Sequence, residues 1–266
     1  MENFSELRKK YKAEIDEMCL MDDNFMSAVL QDKACCELVL RIILNRDDIE
    51  VIECETQYSV TNLHGRAVRL DVLAKDKKGE YLNIEVQRND KDAVPQRARF
   101  NSSLIDANVV EKGSEFKDLP ETYVIFITEN DILGKGLPLY TINRIIAETG
   151  EIFDDKSHII YVNSQITDDT ALGKLMSDFK CKNPEEMNYD VLSDITKITK
   201  EREDEKGMCK IIDDIVQRES KEIKKKERID TALRMIDEGV FTVEQIAKIS
   251  NLSVSEVEEL IKKRSA

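Results

Sequence analysis

The chain has 266 residues, room for one large domain or a domain with a small appendage. Acidic residues outnumber basic ones 54 to 40, a formal net charge of −14. This excludes a protein that coats nucleic acid by bulk charge, and leaves room for a local site where metal ions meet phosphate. Apolar residues make up 41%, with 9 Gly, 4 Pro and no Trp, so a packed core of helices and strands is expected.

Apolar residues recur at helical spacing from Met26 to Leu44: Val29, Leu30, Ala34, Leu38, Ile42 and Ile43. That spacing predicts one helix. Ile49 to Val60 and Val68 to Ala74 read as strands. A turn follows at Asp76-Lys77-Lys78-Gly79, then a third strand from Glu80 to Gln87. Asp92 to Val110 predicts a helix with Val94, Ala98, Leu104 and Ile105 on its buried side. Tyr123 to Thr128 reads as a buried strand and Ile159 to Val162 as a further one. The order helix, three strands, helix, strand predicts an α/β fold with an antiparallel start and a crossover.

Composition shifts after Pro184. Residues 185–226 are polar and helical in character, and the run Lys221-Glu222-Ile223-Lys224-Lys225-Lys226 reads as a solvated helix face. Three short helices are expected beyond it. Arg228 to Glu238 is stopped by Gly239. Thr242 and Ser253 start the other two, with Gln245 and Glu256 at capping-box spacing. The expected division is therefore 1–184, a charged helical linker over 185–226, and a small helical module over 227–266.

The six cysteines (Cys19, Cys35, Cys36, Cys54, Cys181 and Cys209) form no CxxC pair. With His64 and His158 the only histidines, a zinc site is not expected, and neither histidine is assigned a catalytic role. The cysteines read as reduced core residues of a cytoplasmic protein. No run approaches the ~20 apolar residues of a membrane span. Met1 to Asp23 lacks an apolar signal core, so no membrane partner is expected.

The informative stretch runs from Arg66 to Gln87. Val68, Leu70, Val72 and Ala74 share one face of their strand by alternation, as do Leu82, Ile84 and Val86 on the next. In a hairpin the two sets share the core side. A residue-number sum of 156 pairs Val72 with Ile84 and leaves a five-residue loop from Asp76 to Glu80, both read as turn residues. The same register sets Asp71 opposite Glu85 and Arg69 opposite Gln87. Opposed carboxylates ~5 Å apart repel by about 3 kcal/mol at an effective dielectric of 20. Such a pair needs a neutralising group. Arg69 is one candidate and a divalent cation a better one.

Asp71, a second strand, then Glu85-Val86-Gln87 resembles the PD-(D/E)xK nuclease core in its ExQ variant. More narrowly, RLDVLAKDKKGEYLNIEVQ, followed by a helix with Arg97 and Phe100, is similar to the recombination-promoting nuclease/putative transposase family. Asp22-Asp23-Asn24-Phe25 and the helix ending in Ile42-Ile43-Leu44 fit that family's opening. The resemblance covers roughly residues 20 to 165. It implies an α/β, restriction-endonuclease-like mixed sheet flanked by helices, with an all-helical C-terminal extension.

The resemblance also implies roles. Asp71 and Glu85 ligate Mg²⁺, with Mn²⁺ as a substitute and the Val86 carbonyl as a further ligand. The metal polarises a phosphoryl oxygen and activates water. Gln87 stands where the wider family has Lys; it carries no charge and orients the attacking water by hydrogen bonds. The Pro that names the motif is absent, since Leu70 precedes Asp71. Glu37, on the first helix, is either an extra acidic ligand or a solvated residue. Arg69, Arg88, Gln96 and Arg97 are candidates for contact with DNA, with Lys91 near them, and Arg99 for a surface salt bridge.

Thr242 to Leu260 resembles a helix-turn-helix, whose second helix enters the major groove. Glu256, Glu258 and Glu259 at that helix's start repel phosphate, which favours a packing or oligomerisation module. The expected function is a Mg²⁺-dependent DNA endonuclease linked to recombination or mobile elements. It acts as a homodimer if both strands are cut. The alternative is a non-catalytic DNA- or protein-binding relative working through its C-terminal helices. Strand transfer by a true transposase has no signature in these residues.

Overall fold

A computed structural model describes residues 9–60, 68–88, 93–110, 113, 115–201 and 205–264. His64, Lys91 and Asp92 lie outside the described residues. The chain divides into two compact units, 1–208 and 209–266.

The first unit opens with helices α1 (Lys12–Asp16), α2 (Asp23–Leu30) and α3 (Lys33–Leu44). The single helix expected from Met26 to Leu44 is thus two. The break falls at Gln31-Asp32, where Asp32 caps α3 by accepting from the backbone N–H groups of Ala34 (3.0 Å) and Cys35 (3.1 Å). A short acidic side chain competes with the helix for backbone donors and starts a new one. Asn45, with φ 50°, closes α3 in the left-handed conformation.

Strands β1 (Val51–Val60), β2 (Val68–Asp76) and β3 (Tyr81–Gln87) follow as an antiparallel meander. Helix α4 (Pro95–Val109) then crosses to β4 (Thr122–Thr128), which lies parallel to β3. α4 starts at Pro95, and Val94 is its exposed N-cap rather than a buried residue. β5 (Leu139–Ile142) and β6 (Ser157–Asn163) complete a six-stranded sheet in the order β1-β2-β3-β4-β6-β5. The mixed sheet with an antiparallel start is the one expected. β5 escaped the sequence reading because it is four residues at an edge, half-buried or exposed throughout.

Helices cover both faces. Ala98, Leu104 and Ile105 of α4 pack with Leu70, Val124, Phe126 and Tyr161. The opposite sheet residues Val72, Ala74, Leu82, Ile84, Ile125 and Ile127 are fully buried, and α2 and α3 lie against β1, β2 and β3. α5 (Ala171–Lys180) contacts α3. α6 (Asp190–Glu201), which the sequence assigned to the charged linker, buries Leu192, Thr196 and Thr199 and contacts α2 and α3. Its buried Lys200 ammonium donates to the carbonyls of Asp16 (2.7 Å) and Lys182 (2.5 Å).

The hairpin register is the expected one, with Val72 opposite Ile84 and Lys75 opposite Tyr81. Its loop is tighter: Asp76 N–H donates to the Glu80 carbonyl (3.1 Å), and Gly79 takes φ 85°. Asp76 and Glu80 are more than turn residues. Asp76 is fully buried and accepts from the Lys78 and Glu80 N–H groups, and Glu80 is gripped by both Arg46 nitrogens at 2.7 and 3.1 Å.

Strict alternation fails on β2. Leu70 and Val68 pack on the α4 side together with Leu73, three positions from Leu70, whereas Val72 is buried on the other side. The faces switch at Asp71. They switch on β1 as well: Glu53 and Glu55 line an α4-side cavity of ≈ 290 Å³ with Tyr58 and Val60. The residue between them, Gln57, has φ 55°.

In the second unit, α7 (Glu205–Glu238) carries into α8 (Val243–Ser250) and α9 (Val254–Arg264). No break occurs near Arg228; one helix runs through the expected linker boundary, and Gly239 (φ 69°) ends it. Thr242 with Gln245 and Ser253 with Glu256 form the two expected capping boxes. Ala232, Met235, Ile246, Ala247 and Val257 make the small core.

The Asp32 cap gives a direct stability test. Asp32→Ala is expected to cost about 1 kcal/mol. The melting temperature falls by ~2–4 °C in a differential scan.

Candidate active site

At Asp71 the β2–β3 ladder stops and side chains take over. Asp71 N–H donates to Glu85 Oε1 (3.3 Å), while Asp71 Oδ2 accepts from Val86 N–H (3.1 Å). Each carboxylate thus captures an amide of the other strand. The Asp71 carbonyl accepts from Ser27 Oγ on α2 (3.3 Å). Glu85 Oε1 also accepts from Asn83 Nδ2 (3.0 Å), which bonds the Val72 carbonyl as well (3.0 Å). Glu85 Oε2 accepts from Arg97 Nη2 (2.9 Å), in the first turn of α4 and over the Phe126 ring.

The pair is deeply buried: Asp71 is 5% exposed and Glu85 0%. Burial, then the neighbouring Glu85 charge, pushes the Asp71 carboxyl well above the usual carboxylate range, against the pull of the Val86 N–H. Burial raises Glu85 too, opposed by Asn83 and Arg97. Like charges removed from water cannot both stay ionised without a compensating cation. An exposed polar sheet face with Arg69 as partner is therefore not what forms. Arg69 is exposed, and among the described residues Arg97 is the cation at the pair.

The donor set suits a hard divalent cation. Asp71 Oδ1 has no hydrogen bond among the described residues, the Val86 N–H being held by Oδ2. Along a strand a residue's N–H and C=O point to the same side, so the Val86 carbonyl faces the β2 side where its N–H meets Asp71. Two carboxylates and one carbonyl, completed by water and phosphate oxygens, match the way Mg²⁺ is held. Among the described residues no group of three or more His, Cys, Asp or Glu side chains forms a metal cluster by itself.

The other expected site residues separate. Gln87 is half-buried on the Glu85 face at the end of β3. Glu37 is elsewhere: its carboxylate accepts from Val51 N–H (2.9 Å) and pairs with Arg41 (2.8 Å). Val51 pairs with Asp76, five residues along β2 from Asp71 and about 17 Å away. Helical position alone could not distinguish a site ligand from a helix–strand tie. Asp23, in the first turn of α2, was passed over; its charge acts on Asp71 and raises it further. Its signal was the Asp22-Asp23 pair at a helix start, where acids ordinarily serve as caps. Arg88 is engaged with the Met21 carbonyl (3.2 Å), Cys19 Sγ (3.2 Å) and Asp22 (3.4 Å). Gln96 and Arg99 are exposed on α4. His158 pairs with Glu121 (2.7 Å) and stacks on Tyr123, away from the acids at the opposite end of the parallel strands. Cys19, Cys35, Cys36, Cys54 and Cys181 are free.

A family model described as PD-(D/E)XK nuclease family transposase matches residues 25–172. A second, described as helix-turn-helix domain of resolvase, matches residues 221–257 and supports the helix-turn-helix resemblance of the C-terminal helices. No curated protein and no solved structure gives a match. No helix among the described residues is long and apolar enough to cross a membrane.

The raised Asp71 carboxyl sets a pH-dependent penalty. A carboxyl whose folded value is raised favours folding of the protonated form; stability is intact below the unfolded value and is lost as pH rises through the folded one. Asp71→Asn, which keeps the acceptor for Val86 N–H, is expected to raise the metal-free melting temperature at pH 7 by at least ~2 °C. The gain vanishes below about pH 3.9, the unfolded aspartate value. Thermal scans of both proteins across that range check it.

Proposed function

Because this chain belongs to the PD-(D/E)XK nuclease family transposases, we propose that it is a metal-dependent DNA endonuclease linked to recombination or mobile elements. The observation that carries the reading is the buried Asp71–Glu85 pair, fastened across two strands and, among the described residues, compensated by one arginine. A cation bound there, Mg²⁺ or Mn²⁺ in its place, would polarise the scissile phosphate and lower the pKa of a water for direct hydrolysis.

The protein's own groups do the rest. Asp71, Glu85 and the Val86 carbonyl would hold the cation. Asn83 and the Asp71 N–H fix the Glu85 carboxylate in one orientation before substrate arrives. Arg97 offsets the Glu85 charge and stands where a phosphate approaches from α4. Gln87 would orient the attacking water with its amide, and it carries no positive charge to offer a phosphate. Gln96 and Arg69, both exposed, are the free contacts for the DNA backbone, whereas Arg88 serves chiefly to hold the 19–22 segment. Asp23 is a further acid acting on the site.

The C-terminal helices supply a second route to DNA. They carry the resolvase-type match, and the exposed Glu256, Glu258 and Glu259 of α9 restrict backbone affinity. This favours a division of labour: the helical unit contributes binding, and the sheet unit contributes chemistry. Cutting both strands needs two sites and hence a homodimer.

Nicking of supercoiled plasmid in Mg²⁺ tests the assignment. Asp71→Ala and Glu85→Ala are each expected to lose at least ~100-fold in rate, and Gln87→Ala about tenfold, with chelator abolishing the wild-type reaction. Equal cleavage by wild type and Asp71→Ala refutes the site.

A further inference from the structure

β1 is ten residues long, and in its middle Gln57 adopts φ 55°. This is a backbone region that residues other than Gly, Asn and Asp seldom occupy. Regular β pairing continues on either side: Thr56 opposes Val72 and Tyr58 opposes Leu70. Gln57 therefore lies directly across from Asp71, and both strands exchange faces at this one rung.

The Gln57 side chain is tied down along with its backbone. Gln57 Nε2 donates to Ser27 Oγ (2.8 Å), and Ser27 Oγ donates to the Asp71 carbonyl (3.3 Å). That chain of bonds turns the Asp71 peptide out of the ladder toward α2. The Asp71 carboxyl is then left to reach sideways to the Val86 N–H instead of standing on a sheet face. Gln57 Oε1 is itself buried and has no hydrogen-bond partner among the described residues.

Strain of this kind persists only where surrounding structure enforces it, and it concentrates at functional sites. A plain extended residue at position 57 would preserve every neighbouring pair in the register and remove the face exchange. We propose that Gln57 is a positioning residue: its left-handed backbone, braced through Ser27, aims the Asp71 carboxyl at the cation position beside Glu85. This rests on the metal-site reading above and adds to it a residue on a strand that carries none of the chelating groups.

The test uses the full chain, Mn²⁺ alone as probe, and amide hydrogen exchange at Val86, whose N–H reports the aim of Asp71 without any metal. Gln57→Val introduces a β-branched residue that disfavours positive φ. It is expected to speed exchange at Val86 by about tenfold or more while other β3 amides keep their protection. Mn²⁺ affinity falls at least ~10-fold, and the melting temperature holds or rises because strain is relieved. A purely structural residue would lower stability along with binding. Gln57→Gly retains the left-handed backbone and loses the amide, so its Mn²⁺ affinity falls only about threefold.

Wild-type Val86 exchange and Mn²⁺ affinity in folded Gln57→Val overturn the proposal. If that variant does not fold, Ser27→Ala decides: faster Val86 exchange with weaker Mn²⁺ binding supports the relay, and unchanged values overturn it. A wild-type chain that binds no Mn²⁺ removes the metal-site reading alone, and the Val86 exchange still judges the positioning role.

Discussion

Two carboxyl groups held together inside a protein are a liability, and this fold is arranged around that liability. Asp71 and Glu85 sit on neighbouring strands, nearly without solvent, each bonded to a backbone amide of the other's strand. Arg97 offsets one charge. The second has no equal partner among the described residues, and burial and the Glu85 charge hold the Asp71 carboxyl well above the ordinary aspartate range. Natural interiors carry such cost where chemistry requires it.

The surrounding architecture supports that arrangement from three directions. β3 and β4 run parallel, so the crossover helix α4 returns over the sheet and delivers Arg97 to Glu85. α2 brings Ser27 to the Asp71 carbonyl and Asp23 within reach of its charge. On the outer strand, Gln57 departs from extended geometry at the rung where Asp71 needs to leave the ladder. The C-terminal unit has its own small core and two capping boxes. It carries the match to the helix-turn-helix domain of resolvase.

Much of this was legible in the residues. Alternation and an even-sum register located the hairpin, paired Val72 with Ile84 and brought Asp71 to Glu85, because period-two geometry leaves few other choices. What failed did so for local physical reasons. Alternation assumed that each residue of β2 is extended, and the exchange of faces at Asp71 depends on a backbone angle at Gln57 that nothing in residue type announces. Glu37 looked like an inward acid on a helix, yet the deciding fact is that Val51 N–H lies within its reach. Arg69 was near Asp71 in sequence, whereas Arg97 is near in space, through a crossover whose landing point hydrophobic spacing does not specify. The run from Asp190 read as linker because its polar residues outnumber its apolar ones, but the face it turns inward is made of Leu192 together with Thr196, Thr199 and Lys200, polar residues whose burial composition does not announce.

The central claim is that the acid pair is built to receive a divalent cation. The most direct measurement follows the ¹³C carboxyl resonances of Asp71 and Glu85 through a pH titration, without metal and with Mg²⁺. Asp71 is expected to titrate above the ordinary aspartate range in the metal-free chain and to move sharply downward when Mg²⁺ is added. An Asp71 that titrates at ordinary aspartate values, and whose midpoint Mg²⁺ leaves in place, contradicts the claim.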